Sequence, residues 1–190
     1  MVIGLVLLLI FVVVLFSLYG IYVSLIKKKN KVAEAFSSID VQLKKRYDLI
    51  PNILTIASKF MEHEKGLMTE LTELRTQALK LSSKLNDAKE KIALDKEISA
   101  KMGQLMVSVE NYPQLKSDAT MVTAMTTYNE VEEHISAARR FYNSAVLELN
   151  NAVEIFPSSA IAAMCNIEAQ EFFQVEEVER KSVNASDYLK

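Results

Sequence analysis

Residues 124–156, AMTTYNEVEEHISAARRFYNSAVLELNNAVEIF, carry the pattern that decides the fold. Apolar side chains recur at alternating steps of four and three, which is the period of one face of an α-helix. In each repeat one position is small and the other is large, so a neighbouring helix can approach closely and fill its gaps. The stretch predicts a long helix with a packing seam. The seam residues are Ala124, Tyr128, Val131, Ile135, Ala138, Tyr142, Ala145, Leu149, Ala152 and Phe156.

Two apolar stripes of helical period occupy residues 32–85. The first runs over residues 32–50 and continues after Pro51, which removes one backbone hydrogen bond and clashes with the preceding turn. Pro51 therefore either kinks one long helix or ends one and starts another, and spacing alone leaves both open. The second stripe covers residues 67–85, where a loop is predicted over residues 82–86.

A third stripe covers residues 88–109, and Asp95 stands on its apolar face as an exception. Asp87 and Glu90 have the spacing of a capping box at its start. Helices joined by short connections lie antiparallel. We therefore predict an all-α fold with an antiparallel three- to four-helix bundle of long helices over residues 32–166. The acidic tail that follows, residues 167–190, carries Phe172 and Phe173, which we expect to pack onto the bundle.

The first 26 residues contain no charged side chain, and residues 2–26 form one apolar run. Twenty-five helical residues measure about 37 Å, enough to cross about 30 Å of hydrocarbon. A cleaved signal peptide is the alternative, but the run is long and has neither a basic N-terminal region nor a good cleavage site. The run predicts a transmembrane helix over residues 1–26. Gly4 and Gly20 lack the spacing of a close-packed dimer motif, so homo-oligomerisation gains no special support.

Four basic residues follow the apolar run directly. They lie on its C-terminal flank, within residues 27–31, and the N-terminal side carries none. The positive-inside rule then places the N-terminus outside the cell membrane and the helical domain in the cytoplasm. We expect these side chains to contact anionic lipid headgroups. They are Lys27, Lys28, Lys29 and Lys31.

Composition excludes several classes of function. The chain has 190 residues, with only four Gly, three Pro, one Cys and two His. These counts disfavour a β-sandwich, a glycine-loop nucleotide site, a disulfide framework and a Cys-rich zinc site. Beyond residue 31, 18 of the 22 basic and all 24 acidic residues remain, a formal charge of −6. Such a domain is a poor nucleic-acid binder.

The sequence offers little catalytic chemistry. His63 lacks the second His of a metalloprotease helix, and position 131, three before His134, is Val where a di-iron bundle needs Glu. We predict no catalytic residue, metal or cofactor. The alternative is a metal-binding or hydrolytic bundle that uses surface groups such as Glu130, Glu133 and His134.

Three segments resemble the LemA family. They are the block from Asn30 to Asn52, NKVAEAFSSIDVQLKKRYDLIPN, the stretch VENYPQLK at residues 109–116, and ARRFYNSAV at residues 138–146, which is followed by Phe156-Pro157-Ser158. The likeness covers nearly the whole chain and includes the preceding anchor. It implies a bacterial single-pass membrane protein with an antiparallel helical domain and no established reaction. Some members of the family serve in membrane organisation, which implies scaffolding.

The polar residues of these segments are the interaction candidates. Steps of four along the first helix, and from Arg139 to Asn143 on the last, place them on shared faces. They form either a solvated face with local ion pairs or a partly buried network, in which Arg139 or Arg140 meets Asp40 or Asp48 across the bundle. The candidates are Asp40, Lys44, Arg46, Asp48, Pro51, Asn52, Arg139, Arg140, Tyr142, Asn143, Phe156, Pro157, Phe172 and Phe173.

The sequence as a whole predicts a membrane-anchored helical scaffold. The bilayer is one partner and a protein of unknown identity is the other, bound by the acidic helical face together with the Phe172–Phe173 tail. Tethering raises the effective concentration of such a partner at the membrane.

Overall fold

The structure is a computed structural model that describes residues 2–82 and 87–173. Every regular element in these residues is a helix, which confirms the predicted all-α class. A short 3₁₀ turn, Glu62–Glu64, precedes the second helix. The α-helices are α1 (Val2–Ala57), α2 (Lys65–Lys80), α3 (Ala88–Val109), α4 (Pro113–Lys116), α5 (Ala119–Glu154) and α6 (Ser158–Met164).

Helix α1 is both the candidate membrane span and the first helix of the bundle. Residues 2–20 are exposed on all sides, whereas Leu25 is only 1% exposed and belongs to the core. From Val32 to Ala57 buried positions recur every three or four residues. The bundle therefore begins inside the apolar run, and about 28 Å of helix, 19 residues, remain fully exposed. That length matches the hydrocarbon thickness of a bilayer.

Pro51 does not break α1, which answers the question left open by the sequence. The helix continues to Ala57. Because proline has no N–H, the carbonyl oxygen of Tyr47 loses its helical donor. Arg75 on α2 donates its Nε hydrogen to that oxygen at 2.7 Å. The proline thus creates an acceptor on α1 that a neighbouring helix uses.

Helices α1 and α5 form the most extensive contact in the described structure, and they run antiparallel. Lys31 pairs with Glu148, the rings of Phe36 and Tyr142 meet edge to face at 6.1 Å, and Arg46 pairs with Glu132. Residue numbers that rise along α1 are thus paired with residue numbers that fall, by nearly the same steps, along α5. The predicted seam on α5 is confirmed over most of its length, with Tyr128, Ile135, Tyr142 and Leu149 buried, but it is wrong for Phe156, which follows the end of α5 and is 80% exposed.

Helices α2 and α3 complete a four-helix arrangement over the half of α1 that lies farther from the apolar span. Helix α3 runs parallel to α1, since Asp40 pairs with Lys91 and Arg46 with Asp95. It contacts α2, where Lys101 pairs with Glu70. Helices α2 and α3 are shorter than α5, so they leave the other half of the α1–α5 pair uncovered.

The chain after α5 covers this remaining half. Helix α6 contacts both α1 and α5 and follows a cis peptide bond between Phe156 and Pro157. Residues 167–173, which we call the C-terminal strip, then run along α5, with Ile167 and Phe173 buried. Phe173 packs onto the bundle as expected, but Phe172 stays 44% exposed. Most of the predicted loop at 82–86, and residues 174–190 of the predicted tail, lie outside the described residues.

Helix starts differ in how they are capped. Asp118 caps α5, because its Oδ1 accepts the Met121 N–H at 2.9 Å, and that bond lowers the pKa of the Asp118 carboxyl. The capping box predicted at Asp87 is wrong. The Asp87 side chain makes no cap hydrogen bond to α3. It accepts the backbone N–H of Ser82 at 3.0 Å and so ties the end of α2 to the start of α3.

Candidate functional site

The centre of the bundle holds a buried ion network around Arg46. The Arg46 side chain is fully buried. Its Nη1 donates to Glu132 Oε2 at 2.7 Å and to Ser99 Oγ at 3.0 Å, while its Nη2 donates to the Asp95 backbone oxygen at 3.2 Å and to the Asp95 carboxylate. One guanidinium on α1 therefore joins α3 and α5.

Asp95 is the shared acceptor of the network. Its carboxylate is fully buried, with Oδ1 paired to Arg46 and Oδ2 accepting from Arg139 Nη2 at 2.6 Å. Two guanidinium groups and the carboxylates of Asp95 and Glu132 balance in charge. Burying an unpaired charge is very unfavourable, whereas a paired and hydrogen-bonded set is tolerated and specifies which groups must meet. The network therefore fixes the register of α1, α3 and α5.

A second ion pair lies beside the first. Lys91, which is nearly buried, donates to the Asp40 carboxylate and to the Ser82 backbone oxygen at 3.3 Å. Lys91, Asp95 and Ser99 follow one another at steps of four on α3. This polar row faces α1, so α3 is paired with α1 at two separate positions, Lys91 with Asp40 and Asp95 with Arg46.

Two tyrosines border the network. Burial raises the pKa of both Tyr47 and Tyr128 from 10.0 to about 12, although the nearby positive charge of Arg46 acts in the opposite direction. The Tyr47 hydroxyl has no hydrogen-bond partner among the described residues. Arg46 also lies 6.0 Å from the centre of the Tyr47 ring. Both phenols therefore stay neutral over the physiological pH range.

The C-terminal strip is fastened to α5 by two asparagines. Asn143 Nδ2 donates to the Phe173 backbone oxygen at 2.9 Å, and its Oδ1 accepts the Phe173 N–H at 2.7 Å. Asn150 holds Gln170 in the same way, at 2.9 and 2.8 Å. Arg139 stacks on the Phe173 ring at 4.7 Å, so the strip meets the edge of the ion network.

The predicted pairing of Arg139 or Arg140 with Asp40 or Asp48 is wrong. Among the ion pairs of residues 2–82 and 87–173, Asp40 pairs with Lys91, and Asp48 pairs with its neighbour Lys44 at 2.8 Å on the surface. Among the described residues Arg139 instead pairs with Asp95, the charged exception on the apolar stripe of α3. Helical periodicity marks Asp95 as that exception but gives no partner for it.

The other candidates divide between interior and surface. Tyr142 is buried, its hydroxyl donates to the Glu171 backbone oxygen at 3.3 Å, and burial raises its pKa. Lys28 and Lys31 both pair with Glu148, at 3.7 and 2.9 Å, and the Lys31 hydrogen bond lowers the pKa of the Glu148 carboxyl. These two lysines therefore also link α1 to α5 within the bundle. The exposed candidates are Lys27, Lys29, Asn52, Arg140, Phe156 and Pro157.

The surface of α5 carries a small group of ionisable side chains. Glu132, Glu133, His134 and Arg140 line a shallow depression on the solvent side of the helix. Within the described residues no three His, Cys, Asp or Glu side chains come together as metal ligands. The alternative based on Glu130, Glu133 and His134 stays a prediction.

The fold and the network define a class of protein, a membrane-associated helical bundle whose first helix also contains the apolar segment. Among the described residues, α1 is the one helix long and apolar enough to cross a membrane, and that part of it is entirely unburied. The chain belongs to the LemA family, whose sequence model matches residues 35–186. The resemblance found in the sequence is thereby confirmed.

Bacterial relatives support the assignment. Protein LemA of Metamycoplasma hominis is 24% identical over 181 residues, which cover 93% of this chain and 81% of that protein. The magnetosome proteins MamQ 1 and MamQ 2 of Paramagnetospirillum magneticum are each 22% identical over 160 residues, or 73% of this chain. The chain spans 59% of the length of each MamQ protein.

Proposed function

We propose that this protein is a non-catalytic, membrane-anchored scaffold that holds a helical rod at a fixed position above the bilayer for another protein to bind. The observation that carries this proposal is the continuity of α1. The helix runs from the exposed apolar segment into the core without a linker, over about 84 Å for its 56 residues. A rod joined to its anchor in this way cannot reorient freely relative to the membrane.

The interior of the bundle supports a structural role. Arg46 and Asp95 are fully buried and pair with one another and with Glu132, Ser99 and Arg139, although the Nε of Arg46 has no hydrogen-bond partner among the described residues. Groups that meet in this way join helices at defined positions, and the side chains of Arg46 and Asp95 are closed to a substrate. A network that specifies one arrangement is an advantage for a rod that must present a constant surface.

The basic residues after the apolar segment support a cytoplasmic bundle. Lys27 and Lys29 are exposed on α1 immediately after Leu25, where a lysine can reach anionic headgroups. The N-terminal flank has no basic side chain. The positive-inside rule therefore favours an N-terminus outside the cell.

The solvent-facing side of α5 is the surface we assign to the protein partner. Glu130 and Glu133 are exposed there, and so are Phe141 and Leu147, at 44% and 51%. The sequence predicts that the acidic helical face binds the partner together with the Phe172–Phe173 tail. Phe173 is buried, so its side chain is not part of the surface. Protein-binding surfaces combine apolar and aromatic side chains at the centre with polar side chains at the rim, and Phe141 and Leu147 are candidates for that centre. Two relatives are named as magnetosome proteins, which also suits a role in organising a cellular structure.

A crosslinking experiment in native membranes tests the proposal. A photoreactive amino acid at Phe141 should give a discrete protein adduct, while the same group at Val41, a similarly exposed apolar position on α1, should not. Alkaline extraction of the same membranes should leave the protein in the pellet. Equal adduct patterns at both positions would contradict the assigned surface, and release into the supernatant would contradict the anchor.

A further inference from the structure

The turn between α5 and α6 lies level with the end of the exposed apolar residues 2–20 of α1. The pairs Lys31–Glu148 and Arg46–Glu132 set the register of α1 against α5. Continued to the end of α5, this antiparallel register places Phe156 level with Tyr22. Tyr22 follows directly on the exposed apolar segment, where aromatic rings prefer the headgroup region. With residues 2–20 of α1 crossing the bilayer, as the proposed anchor requires, this register puts the turn at the membrane surface.

The side chains of the turn and of the end of α6 are apolar and exposed. Ile155 is 61%, Phe156 80% and Met164 85% exposed. Among the other described large hydrophobic residues beyond the apolar run of residues 2–26, only Val107, at 72%, is exposed to this extent. Helix α6 buries Ala162 against the core and turns Met164 away from it. Nothing else in the described residues covers this patch, which would be unfavourable in water.

The sequence of the same segment has the composition of an interfacial element. Residues 155–167, IFPSSAIAAMCNI, contain no charged side chain, although charged residues make up 24% of the chain. Thirteen residues are too few to span a bilayer as a helix but suit an element that lies at its surface. Glu154 and Glu168 bracket the segment, so it can enter only to a shallow depth.

We propose that the α5–α6 turn and α6 form a second membrane contact, in which Ile155, Phe156 and Met164 insert into the interfacial region of the same bilayer that α1 crosses. This inference rests on the proposed membrane anchor. Two contacts, one through α1 and one through the turn, fix the rotation of the rod about the α1 axis. A single helix would leave that rotation free.

Cys165 provides a direct test, because it is the only cysteine in the chain and it is exposed next to Met164. A fluorophore on Cys165 of the full-length protein, reconstituted in phosphatidylcholine vesicles, should lose most of its emission when the lipids carry nitroxides near the headgroup. Two further variants contain Cys165→Ser with one new cysteine each. The Tyr19→Cys label should be quenched as an anchor control, and the Ser117→Cys label, at the far end of the rod, should not.

The outcomes separate this inference from the anchor on which it rests. An unquenched label at Cys165 with a quenched label from Tyr19→Cys would overturn the second contact and keep the anchor. Unquenched labels at both positions would overturn the anchor. A Cys165 label that is shielded from water-soluble quenchers yet untouched by lipid nitroxides would show that protein covers the patch, and would also overturn the proposal.

A charge variant gives an independent check. Ile155→Asp combined with Phe156→Asp should release the Cys165 label from lipid quenching and leave the Tyr19→Cys label quenched. The matched control is Val107→Asp, an equally exposed apolar position on α3, which should change neither signal. Circular dichroism confirms that each variant keeps its helix content. Continued quenching at Cys165 in the double-aspartate variant would contradict the role of these two side chains.

Discussion

Arg75 on α2 hydrogen-bonds the backbone carbonyl of Tyr47 on α1, which is the carbonyl that Pro51 leaves without a helical donor. Arg75→Ala should cost about 1–3 kcal/mol of unfolding free energy, because it orphans a buried acceptor. In a Pro51→Ala background the new N–H of residue 51 should bond to Tyr47 instead. Arg75→Ala should then cost much less.

Urea unfolding of the four proteins in a mild detergent measures this coupling as a double-mutant cycle. Strict additivity of the two substitutions would show that the carbonyl does not link them.

The buried carboxylate of Asp95 should be the most sensitive single position in the bundle. Asp95→Ala leaves Arg46 without its main buried counter-charge and should destabilise the protein by about 3–5 kcal/mol. The matched control is Asp48→Ala, which removes the exposed partner of Lys44 and should change stability by about 1 kcal/mol or less. Thermal and urea unfolding check both. Similar losses for the two variants would be incompatible with a network that fixes register.

Stability should fall at alkaline pH because of Tyr47 and Tyr128. Their pKa values are about 12 in the folded protein and near 10.0 when unfolded, so between pH 10 and 12 the unfolded chain releases protons that the folded chain keeps. The stability that these groups contribute is complete below pH 10 and is lost as pH approaches 12. Circular dichroism and tyrosinate absorbance, followed against pH, measure this loss.

The combined variant Tyr47→Phe with Tyr128→Phe should flatten that alkaline decline. It should cost little at neutral pH from position 47, whose hydroxyl has no partner among the described residues. An unchanged alkaline profile would assign the decline to other groups.

The C-terminal strip should detach when its asparagine clamp is removed. Asn143→Ala breaks two hydrogen bonds to the Phe173 backbone, worth about 1–3 kcal/mol together, and should do so without unfolding α5. Hydrogen exchange of residues 167–173 should then accelerate. Asn151→Ala, an exposed position on the same helix, serves as control. Slow exchange of the strip in Asn143→Ala would mean that the Asn150 hydrogen bonds to Gln170 and the burial of Ile167 and Phe173 suffice to hold it.

The helical period predicted the faces of the helices well. The seam on α5 is buried in the bundle apart from Phe156, and Asp95, the charged exception on the third stripe, lies in the core. Periodicity cannot, however, say which residue of another helix that partner is. Arg46 and Asp95 are 49 positions apart in the chain, and their meeting depends on the connections between helices.

The pairing predicted for Asp40 and Asp48 failed for a geometric reason. Steps of four in a helix advance by about 400°, so a row of such steps drifts by about 40° at each one. From Asp40 to Asn52 the row therefore turns away by about 120°. Asp40 is turned toward Lys91, while Asp48 and Asn52 face solvent. Arg46, which lies between Asp40 and Asp48 in the sequence, points into the core.

The unbroken α1 helix has a mechanical consequence. Its portion from residue 21 to residue 57 is about 55 Å long, so it acts as a lever arm whose fulcrum is the bilayer. Transmembrane helices adjust their inclination to local lipid thickness. A change of only about 10° would swing the far end of the lever sideways by about 10 Å, so a small difference in the thickness of the surrounding membrane would become a large displacement at the tip.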